Sequence, residues 1–97
     1  MNKIYWVYTL SNAKNSTLYI GVTSDLSSRT SQHQTHLNDG FTTQYKLDRL
    51  VYAEQYDNPE EAITREKQLK NWRRKWKIEL IEKDNPDWKD LSREIFV

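Results

Sequence analysis

Three side chains of this sequence pair a reactive chemistry with a position that packing alone does not explain. Leu26, Arg29, His33 and Leu37 follow one another at intervals of three, four and four residues, so they share one face of any helix that holds them. That face carries the only leucines of the segment and must turn toward a core or a cleft. It takes with it a planar guanidinium that matches phosphate geometry and an imidazole that titrates near neutrality. Glu66 is the third. In the stretch 60–84 the apolar face is Ala62, Leu69, Trp72, Trp76 and Leu80, flanked by Ile63, and Glu66 falls inside that arc. An inward carboxylate needs a partner because an unpaired buried charge is costly. A metal ion, an arginine such as Arg29 or a water-filled cleft would each meet that need.

The elements that must position these residues are legible from periodicity. Residues 3–10 alternate Ile4, Trp6, Tyr8 and Leu10 against Tyr5, Val7 and Thr9, the period-2 pattern of a strand. After the polar run Ser11 to Ser16, residues 17–22 read as a second strand and complete a hairpin with a longer loop. Gly21 interrupts that strand, which marks a bulge or a close approach of backbone or ligand. Thr23 or Ser24 can cap a helix that reaches about Leu37, with Asp25 in its first turn. Gly40, Phe41 and Tyr45 then suggest an ordered connection to a third strand at 49–56. Asp57-Asn58-Pro59 signals a helix start with Pro at the first helical position. The helical pattern that follows fits one helix, or two with a break between Asn71 and Arg74, and Asn85-Pro86 ends it. Trp88, Leu91, Ile95 and Phe96 give the remainder a short helix or packed tail. The expected fold class is α/β in the α+β sense, a small antiparallel three-stranded sheet flanked by helices, as one domain over residues 1–97.

Composition narrows the function classes. The chain has no Cys and two His, which excludes disulfides, thiolate metal sites, a cysteine nucleophile and an all-histidine zinc site. The N-terminus turns polar after a short apolar run, so neither a signal peptide nor a membrane span is expected, and the protein is read as soluble and cytoplasmic. The net charge of +1 conceals a stripe: residues 65–77 carry seven bases and one acid. Such a stripe is the footprint of phosphate-backbone binding, and it is also how a solvated helix face looks. Trp72 and Trp76, four residues apart within it, are expected to pack inward.

The hairpin reads Trp6-Val7-Tyr8, then ten residues, then Tyr19-Ile20-Gly21. This pair resembles the signature of the GIY-YIG nuclease superfamily, in particular its small single-domain bacterial proteins similar to the nuclease domain of the excision-repair incision subunit. GVTSDLSSRTSQH resembles that family's first helix, TREKQLKNW the segment with its catalytic Glu, and NPDWKDL the small-protein subgroup. The resemblance spans about residues 3–91. Position by position it implies Tyr8 and Tyr19 as the motif tyrosines, Gly21 as a structural residue of the site, Arg29 and His33 as the helix pair, and Glu66 as the metal-binding carboxylate. Two departures stand out. Val22 replaces the Lys that follows the second motif in repair nucleases, and the Asn used by several members downstream of the Glu has only the poorly spaced Asn71 and Asn85 as counterparts.

The activity so implied is metal-dependent endonuclease cleavage of DNA, the sequence alone not separating DNA from RNA, of low sequence specificity or selective for structure, with a place in repair or recombination. A non-catalytic nucleic-acid-binding module on the same scaffold is the alternative. One carboxylate is chemically enough for Mg²⁺, with Mn²⁺ as substitute, since this hard ion keeps several waters. Arg29 would stabilise charge on the phosphoryl oxygens and Tyr19 would position water or phosphate. The general base is either Tyr8, which needs a lowered pKa for the task, or His33. Lys67, Lys70, Arg73, Arg74, Lys75 and Lys77 would grip the phosphate backbone.

Overall fold

The computed structural model describes residues 3–14, 17–35 and 47–92, with residues 32–35 described by backbone alone. Its strands are β1 (Tyr5–Ser11), β2 (Tyr19–Thr23) and β3 (Arg49–Tyr56), and its helices α1 (Leu26–Thr35), α2 (Pro59–Asn71) and α3 (Arg74–Asp84). The strands form an antiparallel sheet in the order β2-β1-β3. The hairpin thus places β1 in the centre, where both of its faces are covered.

Alternation along β1 divides the core in two. Tyr8 and Leu10 pack with Leu26 of α1, Leu47 and Leu50, joined by the partly buried Trp6 and Tyr19. Val7 packs on the other side with Ile20 of β2 and with Ala62 and Leu69 of α2. Burial of such aliphatic side chains contributes about 1.5–3 kcal/mol each, which fixes α2 against the sheet through one narrow stripe. The β1–β3 register steps from Thr9–Tyr52 to Leu10–Leu50, so Val51 is the extra residue of a bulge. It joins a third cluster with Ile81 and Trp88.

The helix boundaries follow from their caps. Asp25, not Thr23 or Ser24, caps α1: its Oδ1 accepts the Ser28 N–H at 3.1 Å, and its own N–H donates to Thr23 Oγ1 at 3.0 Å. Asn58 caps α2 by accepting the Glu61 N–H at 2.8 Å, with Pro59 first and Glu60 and Glu61 in the first turn. The long helical pattern is two helices, because Trp72 and Arg73 take extended backbone with ψ of 151° and 148°. Beyond α3, Asn85 holds the chain: its Nδ2 donates to Val51 O at 3.1 Å and Lys89 O at 3.0 Å, and its Oδ1 accepts the Lys89 N–H. Trp88, fully buried, donates its indole N–H to Glu82 at 2.7 Å. No described helix is long and apolar enough to cross a membrane. Leu37, Gly40, Phe41, Tyr45, Ile95 and Phe96 lie outside the described residues.

Candidate functional site

Tyr8 stands directly across the hairpin from Gly21, and its ring lies over that glycine. A Cβ built at position 21 would fall 2.6 Å from the Tyr8 hydroxyl oxygen and 2.7 Å from Cζ. What approaches Gly21 is thus the Tyr8 side chain, not the backbone or ligand that the sequence led one to expect, and absence of a side chain at 21 is what seats that ring. Tyr19, two residues before Gly21 and so on the same face, brings its ring to 6.2 Å from that of Tyr8 at 45°. Only 2% of Tyr8 is exposed, while Tyr19 is half-buried. One motif tyrosine is core and the other reaches toward solvent.

The electrostatics of Tyr8 tie the remaining residues together. Burial pushes its hydroxyl well above the ordinary tyrosine range, and Tyr19, to which it is hydrogen-bonded, and the Glu66 carboxylate act in the same direction. Arg29 opposes them. Tyr8, Tyr19, Arg29 and Glu66, read from four separated stretches of sequence, thus share one electrostatic neighbourhood. As it stands, that neighbourhood keeps the Tyr8 hydroxyl protonated.

Arg29 lies further out than its spacing suggested. Among the α1 side chains described, Leu26 and Thr30 are buried and Arg29 is exposed beside them, at the rim of the packed face. Its backbone N–H closes the first turn on Asp25 O at 3.1 Å, and among the described residues its guanidinium forms no ion pair. His33 takes a helical position one turn on, and its side chain is outside the described residues. Glu66 is turned inward, its side chain 16% exposed, and the partner it finds is Lys70, with Nζ at 3.5 Å from Oε1. That partner is an i,i+4 surface lysine, and such pairs are worth about 0.3–0.5 kcal/mol.

Glu66 is the residue that could hold a divalent ion here. Among the described residues no group of three or more His, Asp or Glu is gathered. An ion at Glu66 would rest on one carboxylate, weakly paired and easily released by Lys70, with water and phosphate oxygens completing its shell.

The basic stripe is a surface around the joint between α2 and α3. Lys67, Lys70, Arg73, Arg74 and Lys75 are exposed. Lys77 is half-buried and is committed to the end of α2, its Nζ donating to Lys70 O at 3.3 Å. Trp72 packs into the α2 side of the core as expected. Trp76 does not: it is 47% exposed, because the break at Trp72 and Arg73 restarts the helical phase.

A second constellation went unread in the sequence. On β3 the Glu54 carboxylate accepts hydrogen bonds from Tyr52, from Tyr56 at 2.7 Å, and from Arg65 of α2 through Nε at 2.9 Å and Nη2 at 3.0 Å. Burial pushes the Glu54 carboxyl up, but the bonds from Arg65, Tyr52 and Tyr56 outweigh it and hold the carboxyl below its ordinary value. Tyr56 is pushed up to about 12 by burial and by Glu54. The signal was present, since Tyr52, Glu54 and Tyr56 alternate onto one face of a strand that faces Arg65. Arg65 also lies 5.0 Å from the ring centroid of Trp72, so the network braces the end of α2.

The two departures noted in the sequence have structural accounts. Val22 packs into the α2-side core beside Val7 and Ile20. Asn85 is buried and its amide is fully used in holding the C-terminal segment, and Asn71 is the exposed last residue of α2.

Known proteins share this fold. Residues 4–79 match the GIY-YIG catalytic domain. A UPF0213 protein of Staphylococcus saprophyticus is 30% identical over 77 residues, covering 79% of this chain and 93% of its own. One of Staphylococcus haemolyticus is 30% identical over 78 residues, covering 80% and 94%. The solution NMR structure of a UPF0213 protein from Bacillus halodurans superposes with a TM-score of 0.56 at 24% identity, covering 93% of this chain and 95% of that one.

Proposed function

Because this chain belongs to the GIY-YIG family, alongside the UPF0213 proteins, we propose that it acts on nucleic acid, and that the reaction its residues suit is divalent-metal-dependent hydrolysis of a DNA phosphodiester bond. The observation that carries the reading is the common neighbourhood of Tyr8, Tyr19, Arg29 and Glu66. Arg29, at the rim of the packed face, offers a fork of donors to phosphoryl oxygens as charge grows on them. Tyr19, half-exposed, orients the attacking water or the phosphate. A divalent ion held by Glu66 would polarise the phosphate and ease departure of the leaving oxygen.

Tyr8 can accept a proton only if its environment changes. The negative charge of Glu66 now opposes its ionisation. Neutralising that charge removes only the weakest influence against ionisation: burial and Tyr19 still outweigh Arg29, so the hydroxyl must also be opened to water or to the ion. His33, one turn beyond Arg29, is the other group able to take the proton.

A second reading, a binding module that does no chemistry, is supported by particular observations and is the one the described structure favours when the family is set aside. The Tyr8 hydroxyl is held protonated, no acidic or histidine cluster accompanies Glu66 among the described residues, and Val22 stands where a Lys serves the repair nucleases. The deciding experiment is cleavage of end-labelled linear, flapped and branched DNA with Mg²⁺ or EDTA, by the parent, Glu66→Gln and Tyr8→Phe. Cutting that requires the metal and disappears in both folded variants supports hydrolysis. A parent that shifts DNA in a gel yet cuts none of the substrates supports the binding module.

A further inference from the structure

Among the described residues Trp76 is the large aromatic side chain the fold leaves out, and it is set amid the basic stripe. It opens α3 with 47% of its surface exposed. A single exposed apolar residue is ordinary, but this one is held in a defined orientation. Its ring meets Trp72 edge-on, with centroids 6.0 Å apart at 89°, and the Arg73 guanidinium lies 5.7 Å from its centroid. Trp72 is anchored in turn in the core and under Arg65. The platform is therefore preorganised, which lowers the entropy cost of binding on it.

The surrounding charge is only partly answered within the protein, Lys75 Nζ lying 4.0 Å from Glu79 Oε1 in an exposed pair one turn on. Arg73, Arg74 and Lys75 crowd the start of α3, where the helix dipole already presents positive charge, and that first turn has neither an acidic residue nor a side-chain cap. An anion relieves this, and the flat, half-exposed indole adds a demand for a ring. The ligand that carries both is a nucleic-acid strand with its bases unpaired, since a base inside a duplex has no free face to offer. The patch is also continuous with the candidate site: Lys77 bonds Lys70 O at 3.3 Å, and Lys70 pairs with Glu66 at 3.5 Å.

We propose that Trp76, flanked by Arg73, Arg74 and Lys75, is a stacking platform for an unpaired base, which gives this domain a preference for single-stranded or flapped DNA over continuous duplex. This rests on the nucleic-acid reading above but not on hydrolysis. The test is therefore run in EDTA, titrating a short oligothymidylate and a blunt duplex of equal length into the parent, Trp76→Leu and Trp76→Phe while following intrinsic fluorescence and anisotropy. Expected are quenching by the single strand, loss of most of that quenching and about tenfold weaker single-strand binding in Trp76→Leu, partial recovery in Trp76→Phe, and no change in duplex binding. Equal single-strand affinity in Trp76→Leu and parent, or tighter binding of duplex by the parent, overturns the proposal. Trp76-dependent strand binding without cutting in Mg²⁺ would sink hydrolysis and leave this platform standing. Cutting unaffected by Trp76→Leu, with unchanged affinity, would do the reverse.

Discussion

Glu54 and Glu66 each share an environment with tyrosine and arginine, yet the molecule uses them in opposite ways. Glu54 receives four hydrogen bonds from Tyr52, Tyr56 and Arg65. Glu66, equally turned inward, has a single ion pair to an exposed lysine. Arg65 is bidentate on its carboxylate and stacked near Trp72, whereas Arg29 stands at the rim with no ion pair among the described residues. A carboxylate whose acceptor capacity is filled is a brace, because nothing incoming can better its partners. One held by a weak surface pair can exchange that partner for a cation or a phosphate-bound ion. The residue types are the same in both places, so function here is a matter of what is left unfilled.

Exchanging the two carboxylates breaks the comparison most sharply. Glu66→Gln should reduce DNA cleavage about 100-fold or more and shift the unfolding free energy by less than about 0.5 kcal/mol. Glu54→Gln should leave cleavage per folded molecule within about twofold while lowering stability by about 2 kcal/mol, since Arg65 and two tyrosines lose their acceptor. Cleavage assays beside urea unfolding curves measure both. Loss of activity in Glu54→Gln at full folding, or a large stability loss in Glu66→Gln, would mean the roles have been assigned the wrong way round.

Gly21→Ala sharpens it within the candidate site. The added methyl meets the Tyr8 hydroxyl end at 2.6 Å, and that ring is packed in the core, so either it swings off β2 or the hairpin opens. A cost of about 1–3 kcal/mol is expected, with cleavage falling at least as far as in Tyr8→Phe. Combining Gly21→Ala with Tyr8→Phe should recover part of the stability, because one of the three closest atoms is gone, without recovering activity. A double variant as unstable as Gly21→Ala would show that the clash is with the ring and not its hydroxyl.

The two regions also differ in how far the sequence exposes them. Strand alternation sorted the faces of β1 correctly, with Tyr8 and Leu10 against Val7, because a period of two leaves no freedom once both sides are covered. The inward position of Glu66 was equally legible, being one turn of α2 from both Ala62 and Leu69. The Trp76 orientation was not, since the sequence admitted a break between Asn71 and Arg74 without deciding for it: the joint at Trp72 and Arg73 contains neither Gly nor Pro. After it the helical phase restarts, and a spacing of four no longer means a shared face. Arg29 was placed on the right helix but too deep: Thr30, not Arg29, follows Leu26 into the core. Glu54 was overlooked because its partner Arg65 lies on another element and only the packing of α2 on the sheet brings them together.

The smallest effect expected is in the acid response of the brace. In the folded state the Glu54 carboxyl is held below its ordinary value of 4.5, so below that pH the unfolded chain binds more protons at this position than the folded one. Its contribution is therefore whole above about pH 4.5 and drains away as the pH falls through the lowered folded value. Urea midpoints of the parent and Glu54→Gln should differ most near neutrality and converge on acidification toward about pH 3. The same comparison with Glu66→Gln should show a small gap at neutrality, because its lysine partner is exposed and replaceable. A gap between parent and Glu54→Gln that persists undiminished in acid would mean that the brace works through shape and packing of the four side chains, with the carboxylate charge as a bystander.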